Sequence, residues 1–170
     1  MMPKDREPVK RVEKIIKDYD KNLCVSVLKT SARTALEAAT SLNCDVGAIV
    51  KSLLFKTDNK YTLFLIAGDK KASLKKIKKN IKFSDVSMAS AEEVKSITGY
   101  TIGGVSPVGH IKNVDIYIDN SLERFDFLFA AAGHPNCIFK ISFSDLKKIT
   151  KGVIEDIIEW NNQVYLIIFY

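Results

Sequence analysis

Apolar residues recur at helical spacing near the start of the chain, and this pattern predicts a first helix there. Two capping boxes, each a Ser or Thr followed three residues later by Glu, mark the starts of two more helices, and Ser142 with Asp145 marks another. A lysine-rich helix is expected to turn Leu74 and Ile77 inward. The predicted helices cover Glu7–Tyr19, Thr34 to about Leu42, about Lys71 to Asn80, Ser90 to Gly99, and Ser142 to Gly152.

Strands are predicted where short apolar runs lie between turn signals, most clearly over Ile49–Lys56 and Tyr61–Ala67, which a tight polar turn joins. Because strands joined by tight turns pair antiparallel and no regular βαβ repeat is present, the sequence predicts an α+β fold. We expect a mixed sheet with helices over its faces. The other predicted strands are Cys24–Leu28, Asp85–Ala89, Val114–Asp119, Phe125–Ala132, Cys137–Ser142 and Gln163–Phe169.

The length of 170 residues, with 46% apolar and 27% charged residues, predicts one domain over residues 1–170 with its own core. No apolar run approaches the roughly 20 residues of a membrane span, and the charged N-terminus lacks the apolar segment of a secretory signal. We therefore expect a cytoplasmic protein with no membrane contact. The three cysteines, Cys24, Cys44 and Cys137, form no CxxC pair, and each is expected to be a small buried apolar residue without a disulfide.

The net charge of +6 is unevenly distributed along the chain. Residues 1–85 hold 19 Lys and Arg against 10 Asp and Glu, whereas residues 86–170 hold 7 against 10. The densest basic stretch is Asp69–Lys82, and such a patch suits a polyanionic partner. The alternative is compositional, because 22 Lys against 4 Arg is also what a genome rich in A and T would produce.

Lys51 lies inside a strand that is apolar on both faces, which is uncommon because burial of an ammonium group is costly. One interpretation is a cation at the lip of a pocket, directed at a phosphate or a developing oxyanion. The other is an edge-strand lysine whose side chain reaches water.

Four of the eight glycines fall within Gly99–Gly109, together with Pro107. Glycines allow sharp turns and a close approach of a ligand to main-chain N–H groups, although this segment matches neither GxxxxGK[ST] nor GxGxxG. It is either a ligand-binding loop, with Ser106 and His110 adding polar groups, or a structural connection between a helix and a strand.

The small residues of Ala130–Gly133 end a predicted strand and leave room for the wall of a pocket. His134 and Cys137 lack the further ligands that zinc requires, so no metal and no cofactor are expected. A Cys–His pair, or a triad of Ser106, His110 and Asp119, is conceivable but lies in no local catalytic motif.

In this order and at these intervals, Ile49–Leu53, Thr98–Gly109, Ile118–Asp119 and Ala132–Gly133 resemble the YbaK/EbsC-like aminoacyl-tRNA deacylases, relatives of the editing insertion domain of bacterial prolyl-tRNA synthetase. The resemblance covers about residues 30–156 and leaves an apolar extension over residues 159–170. It implies a curved, barrel-like mixed sheet and the hydrolysis, in trans, of tRNA that carries a wrong, small amino acid.

The resemblance also implies roles for individual residues. Lys51 matches the essential lysine of the family, Gly103 and Pro107 match its Gly-x-x-x-Pro loop, and Gly133 matches a glycine at the far wall of the pocket. In the cysteinyl-tRNA(Pro) deacylases of this family a serine and an aspartate stand where this chain has Ala131 and Ile138, which leaves the amino acid specificity open. The predicted substrate-binding residues are Gly103, Gly104, Val105, Ser106, Pro107, Ala131, Gly133 and His134, and the predicted tRNA-binding residues are Lys70, Lys71, Lys75 and Lys78.

Two other functions stay open at this point. An editing-like module could hold tRNA or an aminoacyl-tRNA synthetase without hydrolysis, and a small-molecule esterase or amidase would act without tRNA. The chain is expected to be a monomer or a homodimer, in which the apolar run Val164–Tyr170 is buried as an extra strand or at an interface.

Overall fold

An eight-stranded mixed sheet forms the centre of the computed structural model, which describes residues 2–30 and 32–160. Its strands follow the order β1-β8-β7-β2-β3-β6-β9, with β5 beside β2, while β4 and β10 form a separate pair. The strands are β1 (Val25–Val27), β2 (Ile49–Thr57), β3 (Lys60–Ala67), β4 (Lys71–Ala72), β5 (Val86–Met88), β6 (Asp115–Asp119), β7 (Leu128–Ala131), β8 (Cys137–Ile141), β9 (Val153–Glu155) and β10 (Ile158–Glu159).

Both pairing directions occur in the sheet, as the sequence predicts. The β2–β3 hairpin is antiparallel, whereas β7 lies parallel to β2 and β6 lies parallel to β3. On the edge of β2 away from β3, Ile49 and Val50 pair with β7 and residues 55–57 pair with β5. The sheet is curved and, within the described residues, does not close. The α+β prediction is confirmed.

Five α-helices flank the sheet in the described part of the chain, and their starts follow the predicted caps. Thr34 Oγ1 accepts a hydrogen bond from the Glu37 N–H at 3.1 Å while the Glu37 carboxylate accepts from the Thr34 N–H, and Ser90 with Glu93 repeats this box. The helices are α1 (Glu7–Tyr19), α2 (Ala35–Leu42), α3 (Leu74–Ile81), α4 (Ala91–Thr98) and α5 (Phe143–Thr150), with short 3-10 helices over Pro3–Asp5, Val46–Ala48 and Asn120–Arg124.

The core is divided between the two faces of the sheet. On one face, alternate residues of β2 such as Val50 and Leu54 join the apolar stripe of α1 in the largest cluster. On the other face, Ile49 belongs to a cluster with α2, and Phe55 belongs to a cluster with Ile77 of α3. The alternation of side chains along β2 places Lys51 on this second face, between the two clusters.

Three expectations are wrong in detail. The lysine-rich helix begins at Leu74, because Ser73 caps it and the two residues before Ser73 form β4; Leu74 itself is exposed, while Ile77 is buried as predicted. The strand expected over Phe125–Ala132 shortens to β7, because Leu128 pairs with Ile141 at the end of β8 and the next residue, Ser142, already caps α5.

The cysteines also depart from expectation. Cys137 is buried as predicted, but Cys24 is exposed and Cys44 is partly exposed. The predicted strand Gln163–Phe169 and most of the extension 159–170 lie outside the described residues. Among the described helices, none is both long and apolar enough to cross a membrane.

Candidate functional site

Lys51 lies in the middle of β2 with its side chain completely buried. Its Nζ donates a hydrogen bond to the carbonyl oxygen of Lys70, in the segment that follows β3. Burial lowers the pKa of Lys51 to about 8, and the nearby Asp69 carboxylate acts in the opposite direction. Since no part of the side chain is exposed, the interpretation as a lysine that reaches water is wrong. The ammonium lies beneath residues 68–70, which we call the covering segment.

Charged side chains hold the covering segment in place. Both oxygens of Asp69 accept from the Arg124 guanidinium, at 2.7 and 3.0 Å, and Lys70 Nζ lies 3.3 Å from the same carboxylate. Burial raises the pKa of Asp69, but these bonds outweigh it and hold the pKa below its usual value. The Lys70 side chain is only 12% exposed, so this predicted tRNA-binding cation is already engaged within the protein.

Buried hydrogen bonds fix the segment Gly103–Gly109, which we call the glycine loop. The Tyr100 hydroxyl lies 2.7 Å from the Val108 carbonyl oxygen and 2.9 Å from that of Gly109, and Arg11 Nε donates to Gly109 at 2.8 Å. Burial raises the pKa of Tyr100 to about 12, so its hydroxyl stays a neutral donor. The Arg11 guanidinium also lies 5.0 Å from the centre of the Tyr100 ring.

The polar side chains of the glycine loop serve the loop itself. His110 Nε2 lies 2.7 Å from the Ser106 carbonyl oxygen, and Ser106 Oγ accepts from the Val108 N–H at 3.4 Å. Burial lowers the pKa of His110. Asp119 accepts from the backbone N–H groups of Ser121 and Ile157. The Ser106–His110–Asp119 triad is therefore not formed.

The glycine loop and the turn after β7 pack backbone against backbone. A Cβ on Gly104 would lie 2.8 Å from the His134 nitrogen, and a Cβ on Gly133, whose φ is +85°, would lie 2.7 Å from the Pro8 oxygen in α1. The structure thus brings together Gly103, Gly104, Gly133 and His134. The His134 ring accepts from the Asn136 N–H through Nδ1 at 3.1 Å, which stabilises this turn.

A small apolar pocket lies beside this contact, between α2 and the sheet. The cavity volume is about 10 Å³, which is room for about one water molecule. Of the predicted residues, Gly103 and Ala131 line the pocket; Val105 packs in the core, and Pro107 borders a separate hollow. The lining residues are Ala32, Ala38, Ile49, Gly103, Phe129, Ala131, Pro135, Cys137 and Ile138.

Sequence reasoning missed most of the pocket wall. Ile49 lies two positions before Lys51 on the same face of β2, so the strand alternation could have indicated it. Ala32 and Ala38 come from the α2 region, 65 or more positions before Gly103, and no local signal links these parts of the chain. Among residues 2–30 and 32–160, no cluster of three or more His, Cys, Asp or Glu is placed to hold a metal ion.

Main-chain donors of the glycine loop are only partly used. The Gly104 N–H donates to the Thr101 carbonyl at 2.9 Å. Within the part of the chain that the structure describes, the N–H groups of Gly103 and Val105 have no protein acceptor, although both residues are buried. Main-chain N–H groups without a protein acceptor can bind an anion or a developing negative charge.

The predicted tRNA-binding lysines other than Lys70 are exposed. Lys71 lies in β4, and Lys75 and Lys78 lie on α3. Lys76 of the same helix is bonded to Asp156 at 2.7 Å. Three of the four predicted cations are therefore accessible to a partner.

Comparisons with known proteins agree with this fold. Residues 29–149 match the model of the aminoacyl-tRNA editing domain, and the chain belongs to this family. The uncharacterised protein YwhH of Bacillus subtilis (strain 168) is 32% identical over 127 residues, which are 74% of this chain and 80% of YwhH. A solved structure described as a candidate trans-editing enzyme for prolyl-tRNA synthetase superposes with a TM-score of 0.85 at 34% identity, over 91% of this chain and 98% of that one.

The chain also resembles part of a larger enzyme. A proline–tRNA ligase of Caldicellulosiruptor bescii is 32% identical over 126 residues, which are 74% of this chain but only 22% of the ligase. The chain thus spans about a fifth of the length of that ligase. Membership of the editing family supports an editing role for this protein.

Proposed function

We propose that this protein is a trans-acting deacylase, which hydrolyses the ester of a tRNA that carries a wrong, small amino acid. The observation that carries the proposal is Lys51. Its ammonium is completely buried in an apolar strand, two residues from the pocket residue Ile49 and on the same face of the sheet. An ammonium in such surroundings destabilises the fold, which is understandable if the charge serves a ligand.

The chemistry needs no protein nucleophile, because an aminoacyl ester is already activated. A water molecule attacks the ester carbonyl carbon and gives up a proton to solvent, and the resulting oxyanion accepts hydrogen bonds from the N–H groups of Gly103 and Val105. The bond from the carbonyl carbon to the ribose oxygen then breaks. The free amino acid leaves, and the departing ribose oxygen takes up a proton from solvent to become a hydroxyl.

Selection by size follows from the pocket. Its wall is apolar and its volume is about 10 Å³, so a short side chain needs little rearrangement and a large one is excluded. Steric exclusion combined with hydrolysis adds discrimination that binding alone does not reach.

Lys51 is proposed to bind the terminal phosphate or ribose of the tRNA. In this structure the Lys51 ammonium donates a hydrogen bond to the Lys70 carbonyl. The substrate must therefore replace that carbonyl as the acceptor. With its pKa at about 8, Lys51 is mostly protonated at pH 7 and available as a cation. The exposed Lys71, Lys75 and Lys78 would contact backbone phosphates, which predicts binding that weakens with salt.

A panel of mischarged tRNAs tests the proposal. Ala, Ser, Thr and Cys esters of tRNA(Pro) and of other tRNAs are incubated with the protein, and release of the amino acid is measured. Lys51→Ala should abolish release while circular dichroism shows an intact fold. Lys56→Ala, in the same strand but half-exposed, is the matched control and should keep the wild-type rate. Unchanged turnover by Lys51→Ala would refute the assignment.

Two observations favour a second candidate, a non-catalytic module that binds tRNA or a synthetase. The Lys51 ammonium already has a protein acceptor, and the pocket holds about one water molecule. The same panel separates the two functions. A module binds tRNA but releases no amino acid from any ester, whereas a small-molecule esterase would cleave simple esters regardless of added tRNA.

A further inference from the structure

Trp160 is the single tryptophan of the chain, and the residue is 59% exposed. It directly follows β10, whose Glu159 pairs with Lys71 of β4. This pairing places Trp160 opposite Lys70, at the end of the covering segment. An aromatic ring exposed to this extent presents an apolar surface that a planar ligand can contact.

Two cations flank the indole ring. Lys70 Nζ lies 4.5 Å from the ring centre and the Arg124 guanidinium carbon lies 5.7 Å from it. Asp69 fixes the direction of the guanidinium by its two hydrogen bonds. Proteins bind single-stranded nucleic acid by stacking its bases on exposed aromatic rings and pairing its phosphates with exposed cations, which here are Lys71 and Lys75.

The position of Trp160 connects the two parts of the candidate site. On one side, Lys70 supplies the carbonyl that accepts from the buried Lys51. On the other side, Lys71 and Lys75 lie exposed on β4 and α3. A strand of RNA that follows these lysines toward Lys51 therefore passes the indole ring.

We propose that Trp160 is a stacking platform for a base of the single-stranded 3′ end of tRNA. The choice of tRNA as the ligand rests on the proposed deacylase function. Packing over Lys70 alone does not account for the ring, because it shields Lys70 on one side and still leaves more than half of its own surface to solvent.

Because Trp160 is the only tryptophan among six tyrosines, fluorescence excited at a wavelength that tyrosine does not absorb reports on this position alone. The trinucleotide CCA, which reproduces the 3′ end of tRNA, is titrated into the wild-type protein. Stacking predicts saturable quenching by CCA and none by an abasic ribose-phosphate trimer or by inorganic phosphate. No change with CCA, or equal quenching by the abasic trimer or by phosphate, would overturn the proposal.

Variants provide the second measurement. Trp160→Leu should weaken the binding of labelled CCA about 10-fold, within the range for loss of one base–aromatic stack, and Trp160→Phe should recover part of this loss. Phe127→Leu is the matched control, because Phe127 is also exposed and lies under a lysine, with Lys140 Nζ 4.1 Å from its ring centre. Equal CCA affinity of Trp160→Leu and the wild type would contradict the role of the ring.

The outcomes for the two proposals can be told apart. If CCA quenches Trp160 but no mischarged tRNA is hydrolysed, the stacking site stands and the deacylase function fails. If mischarged tRNA is hydrolysed and Trp160→Leu does not raise the KM, the deacylase stands and the stacking site fails.

Discussion

The glycine loop and the covering segment both belong to the candidate site, but different forces hold them. Buried and partly buried hydrogen bonds to main-chain carbonyls fix the glycine loop, with the neutral Tyr100 hydroxyl as the central donor and Arg11 as a second donor. Ion pairs of partly exposed side chains hold the covering segment, chiefly Asp69 with Arg124. Salt and a charged ligand compete with the second kind of contact far more than with the first.

This difference fits two separate roles within the proposed site, a rigid one for the glycine loop and a movable one for the covering segment. The glycine loop presents N–H donors, whose usefulness depends on fixed geometry. The Lys70 carbonyl of the covering segment accepts from Lys51, so the proposed function requires this segment to move when a substrate binds. Ion pairs suit such a movement, because a phosphate of the substrate can pair with the cations that separate from Asp69. Three measurements test this comparison, beginning with the largest expected effect.

Gly104→Ala tests the rigidity of the glycine loop. The new Cβ would lie 2.8 and 2.9 Å from backbone atoms of His134, which cannot move without displacing the turn. We expect a loss of about 3 kcal/mol in the free energy of unfolding, measured by urea denaturation. In the control, Gly47→Ala, the nearest atoms belong to side chains, the Phe125 ring at 2.6 Å and the Arg124 guanidinium at 3.0 Å, which can move, so the loss should be smaller, about 1 kcal/mol. Equal losses of unfolding free energy in the two variants would show that the glycine loop is not rigid.

The pH dependence of stability tests the burial of Lys51. Its folded pKa of about 8 lies below the ordinary 10.5, so between these values the unfolded chain binds a proton that the folded chain does not. Stability therefore rises with pH across this window, and the full burial cost is present below pH 8. Relative to Lys51→Met, the wild type should gain about 2 kcal/mol between pH 7 and pH 10 in urea unfolding.

Lys51→Met removes the titrating group and keeps a side chain of similar length, so changes common to both proteins cancel. A parallel pH dependence of the two proteins would mean that the ammonium is well solvated. That result would mean that Lys51 and the charged side chains of the covering segment do not differ in their access to solvent.

Arg124→Gln tests the covering segment and has the smallest expected effect. Loss of the bidentate pair with Asp69 should lower the free energy of unfolding by about 0.5–1 kcal/mol, and added salt should reduce this difference. Lys14→Gln, which breaks a more exposed pair with Asp18 on α1, should have a smaller effect. If the loss of unfolding free energy in Arg124→Gln does not depend on salt, salt does not compete with the Asp69–Arg124 pair, and the proposed contrast with the glycine loop is wrong.

Local chemistry explains why much of the fold was predictable from sequence. The capping boxes at Thr34 and Ser90 set helix starts through bonds that span three residues, and both were located correctly. The short strands β4, β9 and β10 were missed. Each has two or three residues and exists because a distant segment pairs with it, as Ile158 does with Ala72.

The candidate site divides in the same way. The unusual position of Lys51 and the clustering of glycines are visible in the sequence. The acceptor of Lys51 lies 19 residues away, and the Asp69–Arg124 pair spans 55 residues. No local pattern predicts such contacts, so neither the covering segment nor the place of Trp160 beside it could be derived from sequence.

The first helix has a consequence for anyone who wishes to transplant this unit. The family match begins at residue 29, yet α1 ends at Tyr19 and supplies the backbone against which Gly133 rests and the guanidinium that holds Gly109. A fragment trimmed to the family segment would lack both supports. An enzyme into which only this fragment is inserted would have to supply equivalent contacts to Gly133 and Gly109 from its own residues.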